Sequence, residues 1–403
     1  MVETELEIST LFTKYREPFA WWGVYTPKGD PAAWLGIESR VWSTDTASEL
    51  SFATARTWIS DCLHNHEICR KPIVSQTDEN SNFWPCRLID VEAFGENSLD
   101  VCLIGTSGPE TPYVTLSYCW GPNSENSHRT LTKSLNSQKS KIVFQTLPIT
   151  IQDAIRITRN LGFQYLWVDA ICIIQDSDSD WQTESKKMAH IYSRSIVTIA
   201  ASSSFDSSGG CFNQHSTGGC IELQSQLSTE VESRILIDTE DWDNHPLRQI
   251  MHDPLSRRGW VCQERLVSPR TLHYTSTGLL WECRMARGNE HLGVRLNSEY
   301  NTLPGLLIQS LTQFPLSGAR SDYAFAWYTK IIAIDYSRRV LSRSSDKLPA
   351  VSGLARLFHQ YIQWDYIAGI WLEGLSFGLC WRRKGLASKP ADYRCPSFSW
   401  AAL

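Results

Sequence analysis

Between Asp169 and Ala201 the chain places a carboxylate where apolar residues belong. Trp181, Glu184, Met188 and Ile191 recur at spacings of three and four, which makes one stripe of an amphipathic helix. Gln182, Ser185, Lys186 and Lys187 take the outward side. A carboxylate on a buried stripe is costly to desolvate unless it is paired or faces a cleft. Glu184 therefore has three readings: an ion pair with an arginine such as Arg194 or Arg258, a catalytic or ligand-binding acid at a pocket edge, or a solvent-facing residue on a rotated helix.

Other residues could join that chemistry. Trp120, in the run Ser117 to Gly121, either packs in the core or offers a stacking platform for a ring. Asp169 ends an apolar run, as a strand-end cap and loop organiser or as a catalyst. Arg257, Arg258 and Arg265 surround Trp260, Gln263 and Glu264, a set suited to a bound anion or to an Arg–Glu network joining two parts of the protein. Cys62, His66 and Cys69 share a helix face, with His64 and Cys86 nearby. Structural zinc requires four ligands and C-x3-H-x2-C is not a usual paired spacing, so the expectation is buried thiols with a satisfied histidine, and no metal is assigned. Cys172 and His190 could be drawn as a nucleophile pair, but Cys172 lies in an apolar run and reads as a structural thiol. Phosphate-loop, dinucleotide-fold and hydrolase-elbow motifs are all missing, which removes the main support for those enzyme classes.

The elements that must position these residues follow from periodicity. Residues 51–70 read as a helix, 86–91 and 98–105 as two strands, and 113–121 as an extended run stopped by Gly121-Pro122. Residues 147–162 form a helix with Thr150 and Asp153 as a capping pair; 163–169 is a strand whose apolar character continues through 171–174 into a loop. After the Glu184 helix comes a second buried-type strand, then a strand at 232–239, a short helix within 254–270 and a hairpin at 271–283. Residues 284–403 look largely helical; 75–82, 123–140 and 202–219 read as polar loops, and the first 50 residues as an irregular aromatic arm. Strand–helix alternation predicts an α/β fold with a parallel sheet and covering helices. Ligands of such sheets sit beyond the carboxyl ends of the strands, where Ser117–Gly121, Asp169 and the start of the Glu184 helix converge.

Composition narrows the classes. In 403 residues, 42% hydrophobic and 20% charged content describes a globular chain. A net charge of −5 provides no basic field for nucleic acid. Seventeen Trp imply an extensive core with some left for a ligand or partner surface. The twelve Cys are scattered singly, mostly in apolar runs, as reduced core thiols would be. No apolar run reaches membrane-spanning length, and MVETELEIST is acidic where a secretory leader is basic, so a cytoplasmic location is expected.

Three ordered blocks resemble the fungal heterokaryon-incompatibility (HET) domain: YVTLSYCWG at 113–121, the stretch from LPITIQDAI to SIVTIAAS at 147–202, and RRGWVCQERLVSPRTLHY with LLWEC at 257–283. Flanking pieces such as WISDCLHNHEIC, AGIWLEGL and CPSFSWA also fit this family. The resemblance implies an N-terminal region at 1–112, the HET domain at 113–265 and a mostly helical region at 266–403 that ends inside a family motif, as a shortened form would. It implies a protein of fungal non-self recognition whose activation leads to growth arrest and cell death, working with a protein partner and by self-association. HET domains in turn resemble TIR domains, which implies a flavodoxin-like core. Trp181 and Glu184 resemble the TIR helix motif of a Trp followed by a Glu, at a spacing one residue shorter, and imply NAD as a substrate. Glu184 would then be the catalytic carboxylate, with Tyr118, Trp120, Asp169, Trp181 and Arg258 around the substrate. A non-catalytic module of the same pathway, with Glu184 in a structural ion pair, is the alternative, and a diverged HET protein with another role is a third.

Overall fold

The computed structural model describes residues 21–40, 43–71, 84–106, 111–122, 128–215, 220–228, 231–240, 250, 252–290, 293–296, 304–305, 320–382 and 392–402. The strands are β1 (Trp21–Pro27), β2 (Glu38–Arg40), β3 (Arg87–Asp90), β4 (Cys102–Gly105), β5 (Tyr113–Ser117), β6 (Tyr165–Trp167), β7 (Thr198–Ala200), β8 (Cys220–Ser228), β9 (Val231–Glu240), β10 (Arg270–Thr275), β11 (Gly278–Cys283), β12 (Ala286–Asn289), β13 (Gly293–Leu296), β14 (Tyr366–Ile367) and β15 (Ile370–Trp371). The helices are α1 (Glu49–Asn65), α2 (Glu67–Arg70), α3 (Leu135–Ser140), α4 (Ile149–Asn160), α5 (Asp169–Cys172), α6 (Asp178–Arg194), α7 (Gly259–Val267), α8 (Arg320–Phe325), α9 (Pro349–Ile362) and α10 (Leu375–Gly378).

One mixed sheet of nine strands organises the α/β fold, in the order β13-β12-β11-β10-β7-β5-β6-β3-β4. Its centre is parallel: β5 pairs with β6 and with β7, and β7 with β10. Antiparallel strands flank this centre, β3 and β4 on one side and β11 to β13 on the other. All residues of β5, β7, β10 and β11 are buried, as in sheets covered on both faces. A second, four-stranded sheet runs β2-β1-β9-β8.

Helices α6, α7 and α9 pack on one another, and α4 lies against β5 and β6. A continuous core joins Phe52 on α1 to Leu166, Ile199 and Tyr274 in the sheet and to Trp327, Phe358 and Trp371 near the C-terminus. Several tryptophans serve this core, with Trp327 set edge-on to Phe358 at 5.2 Å and to Trp371 at 5.4 Å.

Five local expectations differ from the structure. The first 50 residues, expected to be an irregular arm, contribute β1 and β2 to the four-stranded sheet through pairing of β1 with β9. Thr150 and Asp153 do not cap their own helix, because Pro148 holds the N-cap position; Thr150 Oγ1 accepts from Gly210 N at 3.1 Å and Asp153 Oδ2 from Cys211 N at 2.8 Å, anchoring the incoming loop. Residues 169–172 form α5 instead of continuing a strand, since Val168 O accepts from Cys172 N and closes a helical turn. The polar stretch before residue 140 contains α3. Beyond residue 284 the chain adds β12 and β13 to the main sheet before turning helical; each is four residues long with one glycine and one arginine, too short to display an alternation. The expected loop at 75–82, the first 20 residues and 123–127 lie outside the described residues.

Gly353 permits the three-helix contact: its N–H donates to Gln263 Oε1 at 2.8 Å, and an added Cβ would stand 2.5 Å from Ala189 Cβ. Gly353→Val should therefore lower stability by about 2 kcal/mol through overpacking, read as a lower urea midpoint at constant slope. An unchanged or raised midpoint would show that α9 can shift away.

Candidate functional site

Chemistry-bearing side chains gather where the central parallel strands end. Ser117 closes β5 and Tyr118 follows it, Asp169 follows β6, and Arg258 stands as the N-cap residue of α7. Gly121 ends the block in a left-handed conformation, φ +88°, against Asp206, where a Cβ would collide with the Asp206 side chain. Trp120 Nε1 donates to both oxygens of Asp169, at 3.1 and 2.9 Å, and Ala170 N donates to Oδ1 at 2.7 Å. Arg258 Nη1 donates to the Tyr118 carbonyl. Glu264, two turns along α7, is buried and its Oε2 accepts a hydrogen bond from the Ser117 hydroxyl.

The electrostatics couple these groups. Burial pushes Glu264 up to about 7, against the opposing pull of Arg258 and of the Ser117 hydroxyl. Burial likewise raises Asp169, with Arg258 and the hydrogen bonds from Ala170 and Trp120 opposing. Burial alone would lower Arg258, but Glu264 and Asp169 outweigh it and hold the guanidinium above its usual range. A single cation thus serves two carboxyl groups, and the deeper one is poised to exchange a proton near neutrality. Beside the cluster is a small cleft that shares Ser117 and is lined by polar residues such as Thr198, Ser202 and His273 and by apolar Leu255 and Val261.

Of the residues singled out in the sequence, Tyr118, Trp120, Asp169 and Arg258 come together here. The Tyr118 ring is buried, so its contribution to the site is its carbonyl, while Trp120 is partly exposed. Glu184 and Trp181 are held elsewhere. Glu184 is 0% exposed; Lys187 Nζ lies 3.1 Å from Oε1, and Cys86 N donates to Oε2 at 3.3 Å. Lys187 was expected on the outward side, but it folds back along α6 and also donates to the Trp84 carbonyl at 3.3 Å and to Cys86 Sγ at 3.1 Å. Neither proposed arginine pairs with Glu184: Arg194 stands 5.1 Å over the Trp84 ring and Arg258 belongs to the strand-end cluster. Trp181 is partly buried against the core.

The arginine-rich block resolves into a network. Arg265 makes a buried two-pronged pair with Glu282 on β11, at 2.7 and 2.9 Å, and Trp260 Nε1 donates to Asp346 at 3.0 Å. Burial drives the Cys172 thiol up to about 12, which leaves it un-ionised and structural. Ser117 and Glu264 were visible in the sequence but not paired, since 147 residues separate them; the one available signal was a carboxylate on the buried side of a short helix.

Glu264 gives a measurable pH dependence. Its folded value near 7 lies above the ordinary 4.5, so the folded state holds a proton that the unfolded chain releases in this window. Stability from this group is therefore lost as pH rises from 4.5 to about 7 and stays low above that. Urea unfolding across the window should show wild type losing stability relative to Glu264→Gln; parallel pH profiles would contradict the assignment.

Comparison with known proteins follows the same span. No curated protein and no solved structure matches the chain. The family model described as "Heterokaryon incompatibility protein (HET)" matches residues 113–264, from the first residue of β5 to the buried acid of α7. Over residues 113–264 this chain is similar to the heterokaryon-incompatibility family.

Proposed function

We propose that this protein acts in heterokaryon incompatibility, the non-self recognition of fungi, and that its HET domain passes on a death or growth-arrest signal through protein contacts and self-association in the cytoplasm. The HET match supports the biological role. One observation carries the form of the output: Glu184 is fully buried, paired with Lys187 and bonded by the Cys86 N–H, the environment of a structural ion pair. The order of the parallel strands, second-first-third-fourth along the chain, supports reading the core as flavodoxin-like and hence TIR-like.

A second reading, cleavage of a nucleotide such as NAD, is favoured by the strand-end cluster. There Glu264 would take the role first given to Glu184. Its carboxylate stabilises positive charge developing at the ribose as the C1′–N bond breaks, nicotinamide leaves with the bonding electrons, and water closes the new C1′–O bond and gives its proton to Glu264. Arg258 would face the phosphates, Trp120 would stack on a ring and Asp169 would orient Trp120.

Expression of wild type, Glu184→Gln and Glu264→Gln in a fungal host, scored for viability and for cellular NAD, separates the readings. Protein-contact signalling predicts toxic wild type with NAD unchanged. NAD loss in wild type that Glu264→Gln abolishes, with Glu184→Gln still active, selects the second. NAD loss abolished only by a folded Glu184→Gln overturns the structural role of Glu184. As a separate check on that role, Lys187→Ala should cost about 3 kcal/mol by leaving a buried carboxylate unpaired, seen as a drop in the urea midpoint.

A further inference from the structure

The helix break between α1 and α2 arranges three side chains that a continuous helix would hold in a row. His66 sits at the break with φ −101° and ψ 90°; its N–H bonds the Cys62 carbonyl at 3.2 Å and its carbonyl accepts from Cys69 N at 3.1 Å. The turn points Cys62, His66 and Cys69 at one spot. There they meet Cys283, the last residue of β11, which the sequence reading of this motif left out. The three sulfurs and one imidazole nitrogen all lie within 4.8 Å of one another, and all four residues are buried.

From this geometry we infer a structural Cys3His zinc site formed by Cys62, His66, Cys69 and Cys283. A tetrahedral zinc with ordinary bond lengths sets its ligand atoms about 3.6 to 3.8 Å apart. The Cys283 Sγ to His66 Nδ1 separation is 3.4 Å, and the whole set would tighten by only a small amount around the ion. Four protein ligands in a buried setting leave no open position, which is the structural and not the catalytic form of a zinc site.

The surroundings suit a metal-bound thiolate set. His66 turns Nδ1 toward the sulfurs and Nε2 toward Asp61, 3.9 Å away, the carboxylate–histidine–metal arrangement that fixes a ligating imidazole. Ala286 N donates to Cys283 Sγ at 3.2 Å. The buried Arg270 and Arg284 frame the site through the Cys69 carbonyl at 3.0 Å and the Ile68 carbonyl at 3.0 Å. Zinc binding would displace three thiol protons, leaving a complex of net charge −1 beside two guanidiniums. The ion would tie α1 and α2 to the β10–β11 hairpin of the main sheet.

The test is metal content of the full chain, purified reduced and without chelator after growth with zinc. Wild type should carry about one zinc per chain, and its cobalt form should show the visible bands of tetrahedral thiolate coordination. Cys283→Ser should lose most of the metal, Cys262→Ser, a buried thiol outside the cluster, should keep it, and Asp61→Asn should weaken cobalt binding about tenfold. Because Cys283→Ser could unfold, the wild-type measurements stand alone: reduced protein that holds no stoichiometric zinc and gives no tetrahedral cobalt spectrum overturns the site. A disulfide among these cysteines in freshly purified protein, or full zinc retention by Cys283→Ser, also overturns it.

Discussion

An ionised group taken out of water must be met at once by opposite charge or by hydrogen bonds, and the interior of this protein is arranged around that requirement. Glu184 is met by a lysine one turn further along its own helix, and Glu282 by Arg265 from a neighbouring element. At the strand ends two carboxyl groups share Arg258, and burial, which that one cation offsets only in part, leaves Glu264 short of full ionisation at neutral pH. The first two arrangements are balanced and hold the fold. The third is not, and imbalance of this kind is what makes a buried group available for chemistry.

Helix α7 concentrates these roles in few residues. Its cap residue Arg258 reaches the end of β5, Gln263 receives α9, Glu264 faces Ser117, and Arg265 grips β11. Successive positions on a short helix point in different directions, so these four residues reach three separate parts of the protein: the end of β5, α9 and β11. A change on α7 would therefore be felt in the site and in the packing together.

Local pattern made much of the fold legible. The amphipathic stripe of α6, the buried runs of β5, β6 and β7 and the hairpin of β10 and β11 all follow from residue periodicity, and with them the α/β class. What periodicity could not supply was the direction of a flexible side chain or the identity of a distant partner. Lys187 lies on the polar side of its helix by spacing, yet its long stem lets the ammonium turn inward. Ser117 and Glu264, or His66 and Cys283, are neighbours only because the sheet is ordered as it is, and no window along the chain contains both members. The shortness of β12 and β13, four residues each with a glycine among them, concealed strands at the rim of the sheet.

The order of the strands also sets the timetable of synthesis. β5 and β6 can pair early, but β7 acquires its second neighbour only with β10, and the bond from Arg270 to the Cys69 carbonyl spans 201 residues. During translation α1 must wait with the face it turns to β11 uncovered until that strand has left the ribosome. A nascent chain of this architecture depends on slow, long-range closure, and its most vulnerable interval is the passage of residues 70 to 283 through the exit tunnel.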